Sequence, residues 1–163
     1  MARRQIGLRL LTRRLGLPMK MDSFDDRLIL QKAVYLSQAA GVDLGYFYRW
    51  YLHGPYCRAA ADDGFAICEE LSMGNDPAAD WALDPASSKA LSGLRASIQA
   101  TPRVELPRKL ELLASVHYLV ARRQVKGRDP RKIVERLRRF QKDFSEEEVS
   151  TAIGEMRGHG IPF

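Results

Sequence analysis

Residues 24 to 40, FDDRLILQKAVYLSQAA, read as a helix with almost no side left for solvent. Leu28, Ile29, Ala33, Leu36 and Ala40 form one stripe at helical spacing, and Leu30, Val34 and Tyr35 widen it. A helix that is apolar nearly all round has to lie inside, so the other elements must wrap around it. Its ends can be read as well. Ser23 stands at the N-cap position, Asp25 and Asp26 sit where the helix dipole favours carboxylates, and Gly41 stands where the helix should stop.

The 163 residues, 45% of them apolar, suffice for one core without a metal or disulfide staple. One domain over 1–163 is expected, with a basic N-terminal helix in 1–20, a centre in 23–100 and a C-terminal helical part in 104–157. Cys57 and Cys68 have no partner pattern and fit free thiols of a reducing compartment, so a cytoplasmic location is expected. Arg9, Arg13 and Arg14 interrupt the apolar residues near the start, so a secretory leader is not expected, and no stretch approaches the length of a membrane span.

The first helix, over 3–16, sets Leu8, Leu11 and Leu15 inward. After the core helix and the GVDLG turn comes YFYRWYLHGPY, residues 46 to 56, which holds six aromatic residues. Its period of two marks a strand that Gly54 and Pro55 stop. The alternation makes Tyr46, Tyr48 and Trp50 core residues and leaves Arg49 and Tyr51 on the other face. A base-stacking platform would need aromatic rings mixed with exposed positive charge, and within this run only Arg49 supplies it.

A helix over 56–73 follows, with Ala60, Gly64, Ile67, Cys68 and Leu71 inward and its carboxylates outward. DWALD reads as the second strand, and Pro85 opens a helix that runs to about residue 100. The helix over 105–124 places Leu106, Leu110, Leu113, His117 and Val120 along one side. Asp129 caps a basic helix with an Ile133, Val134 and Leu137 stripe, and Ser145 with Glu148 forms a capping box for the last helix. The tail GHGIPF is expected to be loose. The fold class is therefore mainly α with a small two-stranded β element. A winged-helix-like centre of helix, strand, helix, strand and helix is followed by C-terminal helices.

The wording RLILQKAVYLSQAAGVDLGYFYRWYLHGPYCRAAADD resembles the YwgA-like family of bacterial and archaeal proteins and, more remotely, the SocA-like Panacea antitoxin domain. Their shared pattern is a leucine-glutamine-lysine helix followed by an aromatic strand and a Gly-Pro turn. It falls here on Leu30, Gln31, Lys32, Tyr35, Leu36, Trp50, Gly54, Pro55 and Asp62. Residues 111 to 153 are similar to the tail of the YwgA-like group, so the likeness leaves out only the basic opening. It implies a non-enzymatic regulatory or adaptor module, antitoxin-like, in a mobile-element or defence context. Such a module binds a protein partner and has no catalytic residues to carry over. The chain departs from the family's usual GPYS by placing Cys57 after Tyr56, so a hydroxyl cap on the next helix is not carried over.

The net charge of +6 hides a partition. Residues 1 to 20 carry Arg3, Arg4, Arg9, Arg13, Arg14 and Lys20 with no acid. Residues 122 to 142 carry ten Lys or Arg against Asp129 and Glu135, while residues 57 to 84 set Arg58 against seven carboxylates. A nucleic acid or an acidic partner would meet Arg3, Arg4, Arg9, Arg13, Arg14, Arg122, Arg123, Lys126, Arg128, Arg131, Lys132, Arg138, Arg139 and Lys142, since phosphates are contacted mainly by arginine and lysine. The same run also suits a solvated basic face. The acidic helix at 56–73 would repel phosphates, so entry of that helix into a DNA groove is not expected.

His53 and Cys57 are the best nucleophile candidates, because a cysteine at a helix N-terminus can have a lowered pKa. They equally fit a buried capping residue beside a turn histidine, and no oxyanion donor or third residue is evident. The histidines, cysteines and paired carboxylates Asp62, Asp63, Glu69 and Glu70 show no metal-ligand spacing, and no cofactor is expected.

Overall fold

The nearly all-apolar helix of residues 24 to 40 packs on the helix that carries Leu106, Leu110 and Leu113. The computed structural model describes residues 3–76 and 78–163. In chain order its elements are α1 (Arg3–Leu15), α2 (Phe24–Ala39), β1 (Arg49–Tyr51), β2 (Gly54–Tyr56), α3 (Arg58–Ser72), α4 (Pro85–Ala90), α5 (Ser92–Ala100), α6 (Leu106–Ala121), α7 (Pro130–Arg139) and α8 (Glu146–Gly158). The α2 and α6 pair is the most extensive helix contact, and Ala33, Leu36, Leu110, Leu113 and Leu119 on it are shut off from water. Ser23 caps α2 as expected: its hydroxyl accepts from the Asp26 N–H while the Asp26 carboxylate accepts from the Ser23 N–H. Ser145 and Glu148 repeat the arrangement at the start of α8.

The remaining elements wrap this pair. Helix α1 lies on α3, α5 and α2, and α8 lies on α6 and α7. A single hydrophobic cluster takes Leu8 and Leu11 from α1, Ile67 from α3, Leu94 from α5, Ile133 and Leu137 from α7, and Met156 from α8. Thus the mainly α architecture with one two-stranded sheet is present.

The position of the second strand differs from the expectation. Strand β2 is Gly54–Tyr56, antiparallel to β1 with Arg49 opposite Tyr56, Trp50 opposite Pro55 and Tyr51 opposite Gly54. DWALD forms turns and coil that lead into the Asp84 cap of α4. Pro55 does not stop the sheet because it occupies a position whose amide side faces away from β1, where no donor is needed. The winged-helix-like order therefore becomes helix, hairpin, helix and two short helices, since the expected helix over 85–100 breaks at Leu91.

The tail is also pinned rather than loose. Ile161 is buried, the Pro162 carbonyl accepts from His117 Nε2 at 2.9 Å, and the Phe163 ring lies 5.7 Å from the His117 ring.

Candidate interaction surface

The hairpin is fixed from beneath by two polar residues of α2. Gln31 pairs with the Cys57 main chain in both directions: its Nε2 donates to the carbonyl at 2.8 Å, and its Oε1 accepts from the N–H at 3.0 Å. Lys32, almost wholly buried, donates to the Pro55 carbonyl at 2.6 Å. Burial lowers the Lys32 pKa to about 7, with Glu111 opposing that shift and Lys142 adding to it. Glu111 pairs with Lys142, whose Nζ also donates to the Leu52 carbonyl at 3.1 Å, so the turn of the hairpin is held at its far end too. These bonds account for the Gln31-Lys32 dipeptide, the Gly-Pro turn and Lys142 together.

With the hairpin so placed, alternation sorts the aromatic run. Tyr46 and Tyr48 are buried, and Trp50 packs on Phe140 and Tyr118 with ring centroids 4.5 and 5.6 Å away. The Tyr46 hydroxyl donates to Asp63, which also accepts from Arg4 at 2.8 Å and Gln5 at 2.9 Å. Burial, and then the bond to Asp63, push the Tyr46 phenol pKa up. Asp63 thus faces inward, unlike the expected outer position of the α3 carboxylates. Burial alone would raise its pKa, but the bonds from Gln5, Tyr46 and Arg4 outweigh that and hold it below the ordinary value.

The opposite face of the run is open. Phe47 is 86% exposed, Tyr51 59% and Leu52 70%, and the rings of Tyr51 and Tyr56 stand 5.6 Å apart. A cleft of about 640 Å³ runs beside them, lined also by Arg49 from β1, Arg58 from α3 and Arg4 from α1. The mixture of rings and guanidinium groups that the run alone lacks is completed by two other elements. Sequence reasoning missed this surface because Arg4 and Arg58 are distant in the chain. The usable signal was that Phe47, Arg49 and Tyr51 form an alternation of their own.

Most arginines of α1 are bonded within the chain, while Arg3 is exposed. Arg9 binds Asp76 through two nitrogens, with Nη2 at 2.9 Å from Oδ2 and Nε at 3.2 Å. Arg13 donates to the Trp81 carbonyl at 2.8 Å, and Arg14 donates to the Ser88 carbonyl at 2.8 Å and Ser92 Oγ at 3.1 Å. With Arg4 on Asp63, four of the five arginines expected to face a partner here are engaged by the chain itself. Asp63 and Asp76 of the acidic segment thus pair with Arg4 and Arg9 of the basic helix.

The second basic segment stays open. Arg123, Lys126, Lys132, Arg138 and Arg139 are exposed and form no salt bridge among the described residues, while Ile133, Val134 and Leu137 are buried as expected. Arg122 lies over the Tyr118 ring, Arg128 over Phe163, and Arg131 reaches Glu146 at 3.7 Å with both groups exposed. Lys142 does not share this exposure. At 6% exposure it belongs to the buried Glu111 pair and cannot meet a polyanion.

No hydrogen bond joins His53 to Cys57. The Cys57 side chain is buried and makes no bond to the helix it precedes, while the His53 ring stands 3.7 Å from Glu111 and edge-on to Phe24. Among the described residues no three His, Cys, Asp or Glu side chains are grouped as a metal ion would require, and no helix is long and apolar enough to cross a membrane. No family model matches the chain, and neither a curated protein nor a solved structure matches it.

Proposed function

We propose that this chain is a non-enzymatic adaptor, antitoxin-like, that holds a protein partner on the open face of its β1–β2 hairpin. One observation carries the reading: Phe47, Tyr51, Leu52 and Tyr56 stand in water on a hairpin that Gln31 and Lys32 fix in place from below. Exposed aromatic side chains next to arginine are the residue types that dominate interface energetics. Each ring offers on the order of 150 Å² for burial. A fixed hairpin also spares a partner the entropy of ordering it. The likeness of the Gln31, Lys32, Gly54 and Pro55 pattern to the Panacea domain supports the same reading.

A photo-crosslinking residue placed at Phe47, with the same residue at exposed Met73 as control, tests it in cells. One stoichiometric protein adduct at 47 and none at 73 is expected. Equal background labelling at both positions would overturn the reading.

The open charges of α7 and the segment before it favour a second reading, binding of DNA or RNA through Arg123, Lys126, Lys132, Arg138 and Arg139. Titration of duplex and single-stranded oligonucleotides at several salt concentrations tests it, because releasing counterions makes such affinity fall steeply with salt. Absent binding, or affinity indifferent to salt, removes it.

A further inference from the structure

The two edges of the hairpin differ. On the β2 side, Lys32 takes the Pro55 carbonyl and Gln31 takes both main-chain groups of Cys57, so the side chains of α2 occupy the place of a third strand. Pro55 offers that side no donor. Main-chain groups alternate sides along a strand. With Pro55 and Cys57 turned towards α2, the facing pairs Tyr51 with Gly54 and Arg49 with Tyr56 supply the ladder bonds. Trp50, opposite Pro55, then turns its N–H and carbonyl outward on β1, and neither group has a partner among the described residues.

The chemistry around that edge is aromatic and cationic. Phe47, Tyr51 and Tyr56 line the cleft with Arg49 and Arg58. Arg49 makes no salt bridge among the described residues, and Arg58 reaches Asp62 only at 3.8 Å across solvent. We infer that the cleft takes an extended acidic segment of the protein partner, which adds to β1 as a third strand. Its main chain pairs with Trp50, its apolar side chains lie on Phe47, Tyr51 and Tyr56, and its carboxylates meet Arg49 and Arg58. This rests on the hairpin face being the partner site and adds the chemistry of what binds there.

Two features choose this occupant. A strand satisfies the outward main-chain groups of Trp50, which a helix, with its own main chain bonded internally, does not. Bases could stack on the same rings, but a sugar-phosphate backbone has no amide ladder to offer the Trp50 main chain.

The test is selection of short random peptides displayed on phage against the full chain, followed by fluorescence anisotropy of the recovered sequences. Peptides that alternate Asp or Glu with apolar residues are expected. Their affinity should fall by about tenfold or more against Arg49→Glu with Arg58→Glu, and against Phe47→Ala with Tyr51→Ala. N-methylation of alternate peptide amides should cost as much. The substituted side chains are exposed, and circular dichroism confirms that the variants fold. Recovery of uncharged or helical peptides, or indifference to N-methylation, overturns the acidic strand but leaves the adaptor reading intact if the Phe47→Ala, Tyr51→Ala chain still loses binding. No enrichment, together with no adduct at position 47, overturns both. An oligothymidylate that competes for the cleft assigns it to nucleic acid. Self-association in sedimentation that the arginine variants abolish assigns it to a second copy.

Discussion

The Lys32 ammonium and the Pro55 carbonyl oxygen meet at 2.6 Å inside the protein, directly beneath the strand whose outer neighbours are exposed. Burying a lysine is costly unless it is hydrogen-bonded and near a counter-charge. Here both conditions hold, since Glu111 acts on Lys32 and is itself bonded to Lys142. The same network fixes both ends of the hairpin, through Pro55 and through the Leu52 carbonyl. Core polarity and exposed face are therefore two sides of one construction: a buried lysine donor sets the position of a strand that presents aromatic rings to water.

Lys32→Met keeps the aliphatic stem and removes the donor, leaving the Pro55 carbonyl without its side-chain partner. A loss of about 1–3 kcal/mol in urea unfolding is expected, and Lys32→Ala should lose more because it also opens a cavity. The pH dependence has a definite sign. The folded pKa of about 7 lies below the ordinary 10.5, so the unfolded chain binds the proton more tightly. Stability should rise as pH climbs from about 7 towards 10.5, and Lys32→Met should flatten that rise. An equal slope in the variant would remove Lys32 as its cause.

Gly54 has φ of +84°, and a Cβ there would stand 2.4 Å from Ser115 Oγ. Gly54→Ala should cost about 2–4 kcal/mol, part from the left-handed backbone and part from overlap. The Ser115 hydroxyl is buried without a partner, so Ser115→Ala should be neutral or stabilising by up to about 1 kcal/mol. The double variant should recover the overlap share only. Strict additivity in the unfolding free energies would show that the hydroxyl does not set the limit.

Two helices end in a left-handed residue that is not glycine. Arg123 has φ of 54° after α6 and Gln141 has φ of 59° after α7, each followed by an N–H that reaches back to the helix, from Gln124 to Leu119 and from Lys142 to Leu137. Gln141→Gly should stabilise by about 0.5–1 kcal/mol because glycine adopts this conformation at no steric cost. A calorimetric midpoint that falls instead would contradict the assignment.

The two basic segments should separate experimentally. Arg138→Gln with Arg139→Gln, on open α7, should weaken oligonucleotide binding and flatten its salt dependence with only a small change in the unfolding midpoint. Arg9→Ala should do the reverse, since its guanidinium ties α1 to Asp76 in the loop after α3. Loss of salt-dependent binding in Arg9→Ala without loss of stability would restore α1 as a binding surface.

What could be read from the sequence follows from how local its causes are. Helix α2 could be bounded because Ser23, Asp26 and Gly41 act within one turn of its ends, and the burial of Tyr46 and Tyr48 followed from period two. The second strand could not be placed, because Pro55 is tolerated only through its register with Trp50 and through Lys32 beyond it, and neither is a neighbour in the chain. The fates of Arg9, Arg13 and Arg14 were hidden for the same reason: their acceptors lie about seventy residues away. The cleft needed three elements to meet before Arg4, Arg49 and Arg58 could be seen as one surface.

His117 supplies the acid limb of stability. A carbonyl can only accept, so the 2.9 Å bond to Pro162 places the ring proton on Nε2, and Nδ1 then accepts from the Tyr35 hydroxyl at 2.7 Å. Burial lowers the His117 pKa below 6.5, with the Pro162 bond opposing. A depressed folded value means that this contribution is complete above about pH 6.5 and is lost as pH falls through the lowered value. Charging also turns Nδ1 into a donor that the Tyr35 hydroxyl cannot meet without rotating, which loosens the contact that pins the tail. The protection factor of the Ile161 amide, bonded to the Met156 carbonyl at 3.0 Å, should therefore fall on acidification ahead of those in the core of α6. His117→Gln keeps a donor towards Pro162 and cannot be charged, so its Ile161 exchange should lose that acid response. If the response persists in the variant, another group releases the tail.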